Sequence, residues 1–252
     1  MDDRNQARQV FACIDNTTLG GTDSSQSVER FCRRTLEMCL PDGGVRVASV
    51  CVYPRFVPVA RRVLEGSGVK VVSVAGGFPH GQLPLGLKVD EVGCAVGEGA
   101  DEVDVVLSRG ALLQGDESLV RDEVAAMKEA CGSRLLKVIL ETGELGSAAL
   151  VRRASQLAIE GGADFIKTST GKIAAGATLE AAKVMLECIK DNVKFNKKTV
   201  GFKAAGGIRK VEEAMEYAAL AKKIMGEEYV GKQTFRIGAS SLTEGMFSFL
   251  TL

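Results

Sequence analysis

The chain reads as an α/β protein, a (β/α)8 TIM barrel that occupies residues 1–252 as a single domain with a short N-terminal helix. Three observations predict it. Short β-rich runs recur about every 25 to 35 residues, each followed by a segment with helical spacing of its apolar residues, the signature of repeated βα units. Several of these runs are apolar nearly throughout, as strands covered on both faces are. The length, 252 residues of which 46% are hydrophobic, suits one such barrel, for which about 250 residues is usual.

The elements follow in order. "MDDRNQARQVF" is a charged N-terminal helix without the apolar stretch of a secretory signal. "FACID" is the first strand, and "SSQSVERFCRRTLEMCL" is the helix after it, headed by serines that cap free N–H groups. "VRVASVCV" and "VKVVSVAG" are the second and third strands, joined by the helix "PRFVPVARRVLEGS", with proline at its start and glycine at its end. The helix "KVDEVGCAVGEGA" leads to the fourth strand, "EVDVVLS". "DESLVRDEVAAMKEAC", headed by aspartate, leads to the fifth, "LLKVILE". "SAALVRRASQLAIEGG" runs from a serine to a Gly-Gly stop before the sixth, "DFIKTS". "TLEAAKVMLECIKD" precedes the seventh, "VGFKAA", and "VEEAMEYAALAKKIMG" the eighth, "TFRIGA". Along the helices apolar residues recur three and four apart, with charges on the other face. Right-handed crossovers close eight such units into a barrel whose active site lies at the C-terminal strand ends. "KDNVKFNKK" reads as a charged loop, and no linker or low-complexity stretch divides the chain.

Composition narrows the function classes. Lys+Arg and Asp+Glu both number 32, so the formal charge is zero and no global field draws the chain to nucleic acid or to an anionic membrane. Any anion is therefore bound locally. The seven cysteines, at 13, 32, 39, 51, 94, 131 and 188, are odd in number, scattered and free of C-x-x-C spacing, which points to reduced thiols in the cytosol. The single histidine, His80, sits in an "FPHG" turn and is read as structural; a His-based metal cluster or a Ser-His-Asp triad would have to be built around it alone. No stretch approaches the apolar length of a membrane span. The expectation is a cytoplasmic protein with no metal; homo-oligomerisation is left open and no protein partner is indicated.

Two lysines carry the chemistry: Lys167 in "ADFIKTSTGK" and Lys203 in "TVGFKAAGG". Lysine in an apolar strand is rarely buried without a partner or a task. Desolvation and a second nearby ammonium both disfavour its charged form, and a neutral amine is a nucleophile toward carbonyls. Strand alternation puts Phe165, Lys167 and Ser169 on one face and Gly201, Lys203 and Ala205 on another; if both faces point to the barrel axis, the lysines meet. In "ADEVDVVLS", Asp104 faces opposite to Val103 and Val105, which puts a carboxylate inside the barrel. Asp15 in "CIDNTTL" and Lys137 in "LLKVILE" form a second candidate internal pair. Singly, each of these is more often a structural ion pair; four at matching depths favour chemistry.

Beyond the seventh and eighth strands lie "KAAGGIRK" and "RIGASSL", where this fold commonly binds phosphate. Glycines let backbone N–H groups approach an anion, serines add donors, and a helix N-terminus supplies partial positive charge. Gly206, Gly207, Gly238, Ser240 and Ser241, with Thr170, Gly171 and Lys172 of "STGK", are the candidate clamp.

"EVDVVLSRGALLQGD", "LKVILETGEL", "GADFIKTSTGK", "GFKAAGGIR" and "RIGASSL", with "SVCVYPRFVPVAR" and "FPHG", resemble the 2-deoxyribose-5-phosphate aldolase family from about Asp15 to Leu242. These are class I, Schiff-base lyases on a TIM barrel. The resemblance implies reversible cleavage of 2-deoxy-D-ribose 5-phosphate to D-glyceraldehyde 3-phosphate and acetaldehyde, without a cofactor. It implies Lys167 as the Schiff-base lysine, Lys203 as the lysine that lowers its pKa and shares in proton transfer, and Asp104 as the proton donor or acceptor. Asp15, Thr17 and Lys137 match pocket residues; Gly171, Lys172, Gly206, Gly207, Gly238, Ser240 and Ser241 match phosphate-side positions. Cys51 matches a residue near the substrate and reads equally as a small buried hydrophobe. "DNTTL" and "VAGGFPHG" depart from many relatives without touching the acid–base set. Some members end in a tyrosine that aids proton transfer; the last residue here is Leu252, so that role is not carried over. The rival readings are another class I aldolase or transaldolase, and a non-catalytic or moonlighting protein-binding barrel.

Overall fold

Eight parallel strands, each hydrogen-bonded to the ones before and after it in sequence, close on themselves in the computed structural model, which describes residues 3–41, 43–196 and 199–252. The strands are β1 (Ile14–Thr17), β2 (Ser49–Val52), β3 (Lys70–Ala75), β4 (Glu102–Val106), β5 (Leu135–Ile139), β6 (Phe165–Lys167), β7 (Gly201–Ala205) and β8 (Phe235–Ala239). Their side chains are buried almost throughout, since the helices cover the outer face and the barrel interior the other.

The helices are α1 (Asp3–Phe11), α2 (Ser25–Glu37), α3 (Val57–Leu64), α4 (Leu85–Gly97), α5 (Arg109–Leu113), α6 (Glu117–Cys131), α7 (Ala148–Glu160), α8 (Leu179–Asn196), α9 (Val211–Met225) and α10 (Leu242–Thr251). The anticipated caps form: Ser24 accepts from the N–H of Ser27, Asp116 from that of Leu119, and Ser147 from that of Leu150. Two further helices do not stand out in the amino-acid sequence. The short α5 sits in the β4–α6 connection, and α10 follows β8 directly and packs on α1.

"KDNVKFNKK" is a correction. It is helix, not loop, through Asn196, because Val193 continues the apolar stripe of α8 onto the core; Lys197 and Lys198 lie outside the described residues.

A large apolar layer between barrel and helices holds the fold, including Val50, Val71, Val103, Val138, Ile166 and Phe202. Fully burying one such side chain stabilises by about 1.5–3 kcal/mol. The interior is different. A Cβ on Gly201 would lie 2.3 Å from the ring of Phe165, its register partner, so glycine here admits the phenyl ring of the neighbouring strand. On β1, Asn16 points outward and ties the helices down: its Nδ2 donates to Thr35 of α2, and its Oδ1 accepts from Thr243 of α10, both at 2.8 Å. Asp15 and Thr17 are thereby left for the inside.

Candidate active site

A cavity of about 400 Å³ opens at the C-terminal ends of β1, β6, β7 and β8. Thr17, Thr18, Leu19 and Gly20 line one side; Lys167, Thr170, Gly171 and Lys172 another; Ala205, Gly206, Gly207, Ile208 and Arg209 a third; Gly238, Ala239 and Ser240 complete it. Lys167 is only 3% exposed, yet it is the lysine of the barrel interior that borders this space.

The rim is built by close backbone packing. Gly206 has φ +91°, and the Cβ of any residue replacing Gly176 would lie 2.2 Å from Gly206 O, so two glycines let the loops after β6 and β7 touch. Glu141, just past β5, is fully buried with φ 54° and accepts from both the N–H and the hydroxyl of Thr170. Thr170 Oγ1 in turn accepts from the Lys172 N–H at 3.1 Å, and Lys172 Nζ donates to the carbonyl of Leu19. The loops after β1 and β6 are so joined across the mouth.

Below the cavity lies a network of charges. Lys167 and Lys203 are register partners on β6 and β7, and the nitrogen of each donates to Asp104 Oδ2 at 2.8 Å. Lys203 Nζ is also 2.5 Å from Asp15 Oδ2. Lys137 Nζ donates to Asp104 Oδ1 at 2.9 Å and lies 2.5 Å from Glu102. Arg236 donates to Asp15 Oδ1 at 2.6 Å and to both oxygens of Glu102 at 2.7 and 3.1 Å. The ring of Phe165 lies under Lys137 and Arg236, with centroid distances of 6.0 and 5.6 Å.

These contacts decide the charge states. Burial works against the charge on Lys167; Asp104 supports it, Lys203 opposes it, and the net shift is downward from the ordinary lysine value. For Lys203 burial acts the same way, but Asp104 and Asp15 together outweigh it and hold the ammonium well above that value. Lys137 is likewise raised, since Asp104, Glu102 and Asp15 overcome its burial. Burial would raise the carboxyl pKa of Asp104, but Lys137, Lys167 and Lys203 hold it well below the usual carboxylate range. Lys167 is therefore the one lysine of the three driven toward the neutral amine.

Of the residues singled out in the sequence, Thr17, Lys167, Thr170, Gly171, Lys172, Gly206, Gly207, Gly238 and Ser240 line the cavity, and Asp15, Asp104, Lys137 and Lys203 lie in the network beneath it. Ser241 does not line it; it is the residue before α10, and its side chain makes no cap bond. Cys51 is fully buried among Leu19, Val72 and Val74, and burial first, then Asp104, pushes its thiol up to about 11. His80 is exposed in the turn after β3. Gly238 also leaves room for a side chain, since a Cβ there would stand 2.9 Å from Lys203 Cε. The pair anticipated between Asp15 and Lys137 is the loosest contact of the network at 3.9 Å. Asp104 is the register partner of Lys137 on the neighbouring strand, whereas β1 adjoins β8, so Asp15 meets Arg236 instead.

Sequence reading missed Glu102, Glu141, Arg209 and Arg236. Two carried a signal: Glu102 alternates with Asp104 and Arg236 with Gly238, so each shares the inward face of a residue already chosen. Glu141 and Arg209 lie in connecting loops, where alternation has no meaning. Among the described residues no group of three or more His, Cys, Asp or Glu side chains is arranged to hold a metal ion, and no helix is long and apolar enough to cross a membrane.

The family model described as DeoC/LacD family aldolase matches residues 9–244. The chain belongs to that family. A Caenorhabditis elegans protein named "Putative deoxyribose-phosphate aldolase" is 46% identical over 243 residues, covering 96% of this chain and 80% of that protein. Among solved structures, the tetrameric deoxyribose phosphate aldolase of Aeropyrum pernix is 28% identical, with a TM-score of 0.74 over 99% of this chain and 97% of its own. An aldolase designated QR15 is 33% identical, with a TM-score of 0.77 over 96% of both chains. Within this DeoC/LacD aldolase, the matched span includes every strand and each charged residue of the network.

Proposed function

We propose that the protein is a deoxyribose-phosphate aldolase that cleaves 2-deoxy-D-ribose 5-phosphate reversibly to D-glyceraldehyde 3-phosphate and acetaldehyde through a Schiff base on Lys167. The observation that carries this reading is the position of Lys167. It is an amine with a lowered pKa bordering a cavity, fixed by Asp104 and faced by an ammonium, Lys203, that stays charged.

Lys167 Nζ attacks C1 of the open-chain sugar. The carbinolamine takes up a proton, loses water and leaves an iminium. Acetaldehyde carries C1 and C2, so the bond that breaks is C2–C3. Its electron pair moves into the iminium to give a neutral enamine, while the C3 hydroxyl gives up its proton and becomes the aldehyde of glyceraldehyde 3-phosphate. Protonation of the enamine at C2 and hydrolysis then release acetaldehyde and free Lys167. Asp104 Oδ2 touches both amines and is the group through which a proton passes between Lys167 and Lys203.

The phosphate end falls to Gly206, Gly207 and Ser240, beside the N-terminus of α10, with Lys172 and Arg209 as local cations on a chain with no net charge. Holding that end fixes C1 near Lys167. The seven free cysteines accord with a reducing, cytoplasmic setting, where deoxynucleoside salvage would supply the substrate. Borohydride reduction in the presence of acetaldehyde, followed by peptide mass spectrometry, is the test. An ethyl group on Lys167 is expected; labelling of Lys203 alone would overturn the assignment.

A further inference from the structure

Seven charged side chains fill the barrel interior as one connected group: the carboxylates Asp15, Glu102 and Asp104, and the cations Lys137, Lys167, Lys203 and Arg236, all between 0 and 4% exposed. Three carboxylates face four cations. The group is neutral only when one cation has lost its proton, and an uncompensated charge at such depth is costly. Arginine does not give up a proton in proteins. Lys203 touches two carboxylates, at 2.5 and 2.8 Å, and so does Lys137, at 2.5 and 2.9 Å. Lys167 touches one, and shares that oxygen with Lys203. It is the least compensated of the cations and the one beside the open cavity.

Glu102 and Arg236 occupy the far end of this group. Glu102 opens β4, two residues before Asp104, and Arg236 lies two residues before Gly238 on β8. Both line a separate cavity of about 430 Å³ among Lys70, Asp101, Arg134 and Lys232, where Asp101 pairs with Lys70 and Arg134. We propose that Glu102 and Arg236 are positioning residues that fix the charge balance of the whole interior and thereby leave Lys167 as its one uncharged amine, although neither touches it. This rests on the reading of Lys167 as the nucleophile and adds that the total count of charges, beyond the adjacent Lys203, activates it.

The other elements around Lys167 add no further member to the connected group. On β2, Cys51 is a thiol held up to about 11, and the side chains of β3 packed against it are Val72 and Val74. Glu141 is a buried carboxylate that makes no ion pair with any of the seven; its oxygens accept from Thr170, and its charge is the same in every variant compared below. Lys172 and Arg209 stand at the solvent-exposed rim, where water screens them.

Two substitutions should act with opposite signs. Arg236→Gln leaves three carboxylates with three lysines, a group that is neutral when Lys167 is protonated. Glu102→Gln leaves two carboxylates with Lys137, Lys203 and Arg236, a group already in positive excess. Each leaves its neighbours paired: Asp15 keeps Lys203 and Ser49, Glu102 keeps Lys137, and Arg236 keeps Asp15 and the carbonyl of Lys232.

Competitive acetylation of the intact protein with acetic anhydride, read by peptide mass spectrometry across pH, follows Lys167 without requiring aldolase activity. In Arg236→Gln, the Lys167 titration should move up by about one pH unit, a roughly tenfold loss of reactivity below it. In Glu102→Gln it should move down, and in the double variant it should return to the wild-type position. Arg236→Lys keeps the charge and should stay there too, which separates charge from packing. Shifts of the same sign in both single variants, or no shift in either, would overturn the proposal. If a single variant does not fold, the double variant and Arg236→Lys decide: a double variant that titrates away from wild type overturns it. The borohydride experiment above tests the nucleophile separately, so loss of that reading is distinguishable from loss of this one.

Discussion

Lys167 and Lys203 are direct register partners on neighbouring strands, and both amines converge on a single oxygen, Asp104 Oδ2. Their environments nevertheless drive them apart. Lys203 has Asp15 as a second carboxylate partner and stays charged, while Lys167 has none and is pushed toward neutrality by burial and by Lys203. Two like groups with opposed pKa shifts divide the work between a nucleophile and a charged partner that holds the proton.

Removing Lys203 tests that division. Lys203→Met takes away a positive charge beside Lys167 and leaves Asp104 to favour the protonated amine. Methionine also dries the site, which acts the other way, but the lost charge is the closer term and should win. The acidic limb of Schiff-base formation should move to higher pH, and the rate at pH 7 should fall by about 10²-fold or more. Stopped-flow measurement of iminium formation across pH checks this. A limb that stays in place would leave burial as the whole cause.

Lys167→Met should lower cleavage by about 10⁴-fold or more while the protein becomes more stable at pH 7. The folded-state pKa of Lys167 is lowered by burial, so between that value and the unfolded value near 10.4 the unfolded chain binds more protons and wild-type stability rises with pH. Asp104 keeps Lys137 and Lys203 in the variant, so no carboxylate is stranded. The gain, about 1–4 kcal/mol at neutral pH by analogy with other buried charges, should shrink toward pH 10. Urea unfolding at pH 7 and pH 9.5 reads it; a variant less stable than wild type at both would contradict the sign.

Ser240 lines the cavity and Ser241 does not, so carboxylates at the two positions should differ. Ser240→Asp puts a negative charge against the proposed phosphate site and should raise KM for 2-deoxyribose 5-phosphate by about tenfold or more, with a much smaller effect on 2-deoxyribose. Ser241→Asp, at the head of α10, should act more weakly on both. Kinetics with the two sugars decide, and equal losses on both would place the phosphate elsewhere.

Cys51 is fully buried with its thiol held up to about 11, whereas Cys94 is exposed on α4. Iodoacetamide at pH 7.5 should therefore modify Cys94 in the folded protein and leave Cys51 intact until it is unfolded, with cleavage activity retained. Peptide mapping after timed alkylation checks it; early labelling of Cys51 would show that the interior opens to solvent.

The βα repeat is legible in the residues alone. Apolar strand runs and amphipathic helices alternate, and a barrel is the arrangement that buries both faces of the eight strands. Alternation within a strand also singled out Lys167, Lys203 and Asp104, because a period of two is written locally in "DFIKTS", "VGFKAA" and "EVDVV". Which of these side chains meet depends on how the barrel closes. Arg236 and Asp15 are 221 positions apart and Arg236 and Glu102 134, and they touch because β8 closes on β1 with one register. That closure gives Asp15 to Lys203 and Arg236 in preference to Lys137, and gathers three carboxylates and four cations in one buried space. The state of Lys167 is a property of that assembled group: a charge buried in low dielectric responds to every other charge around it, and no local stretch of sequence contains them all.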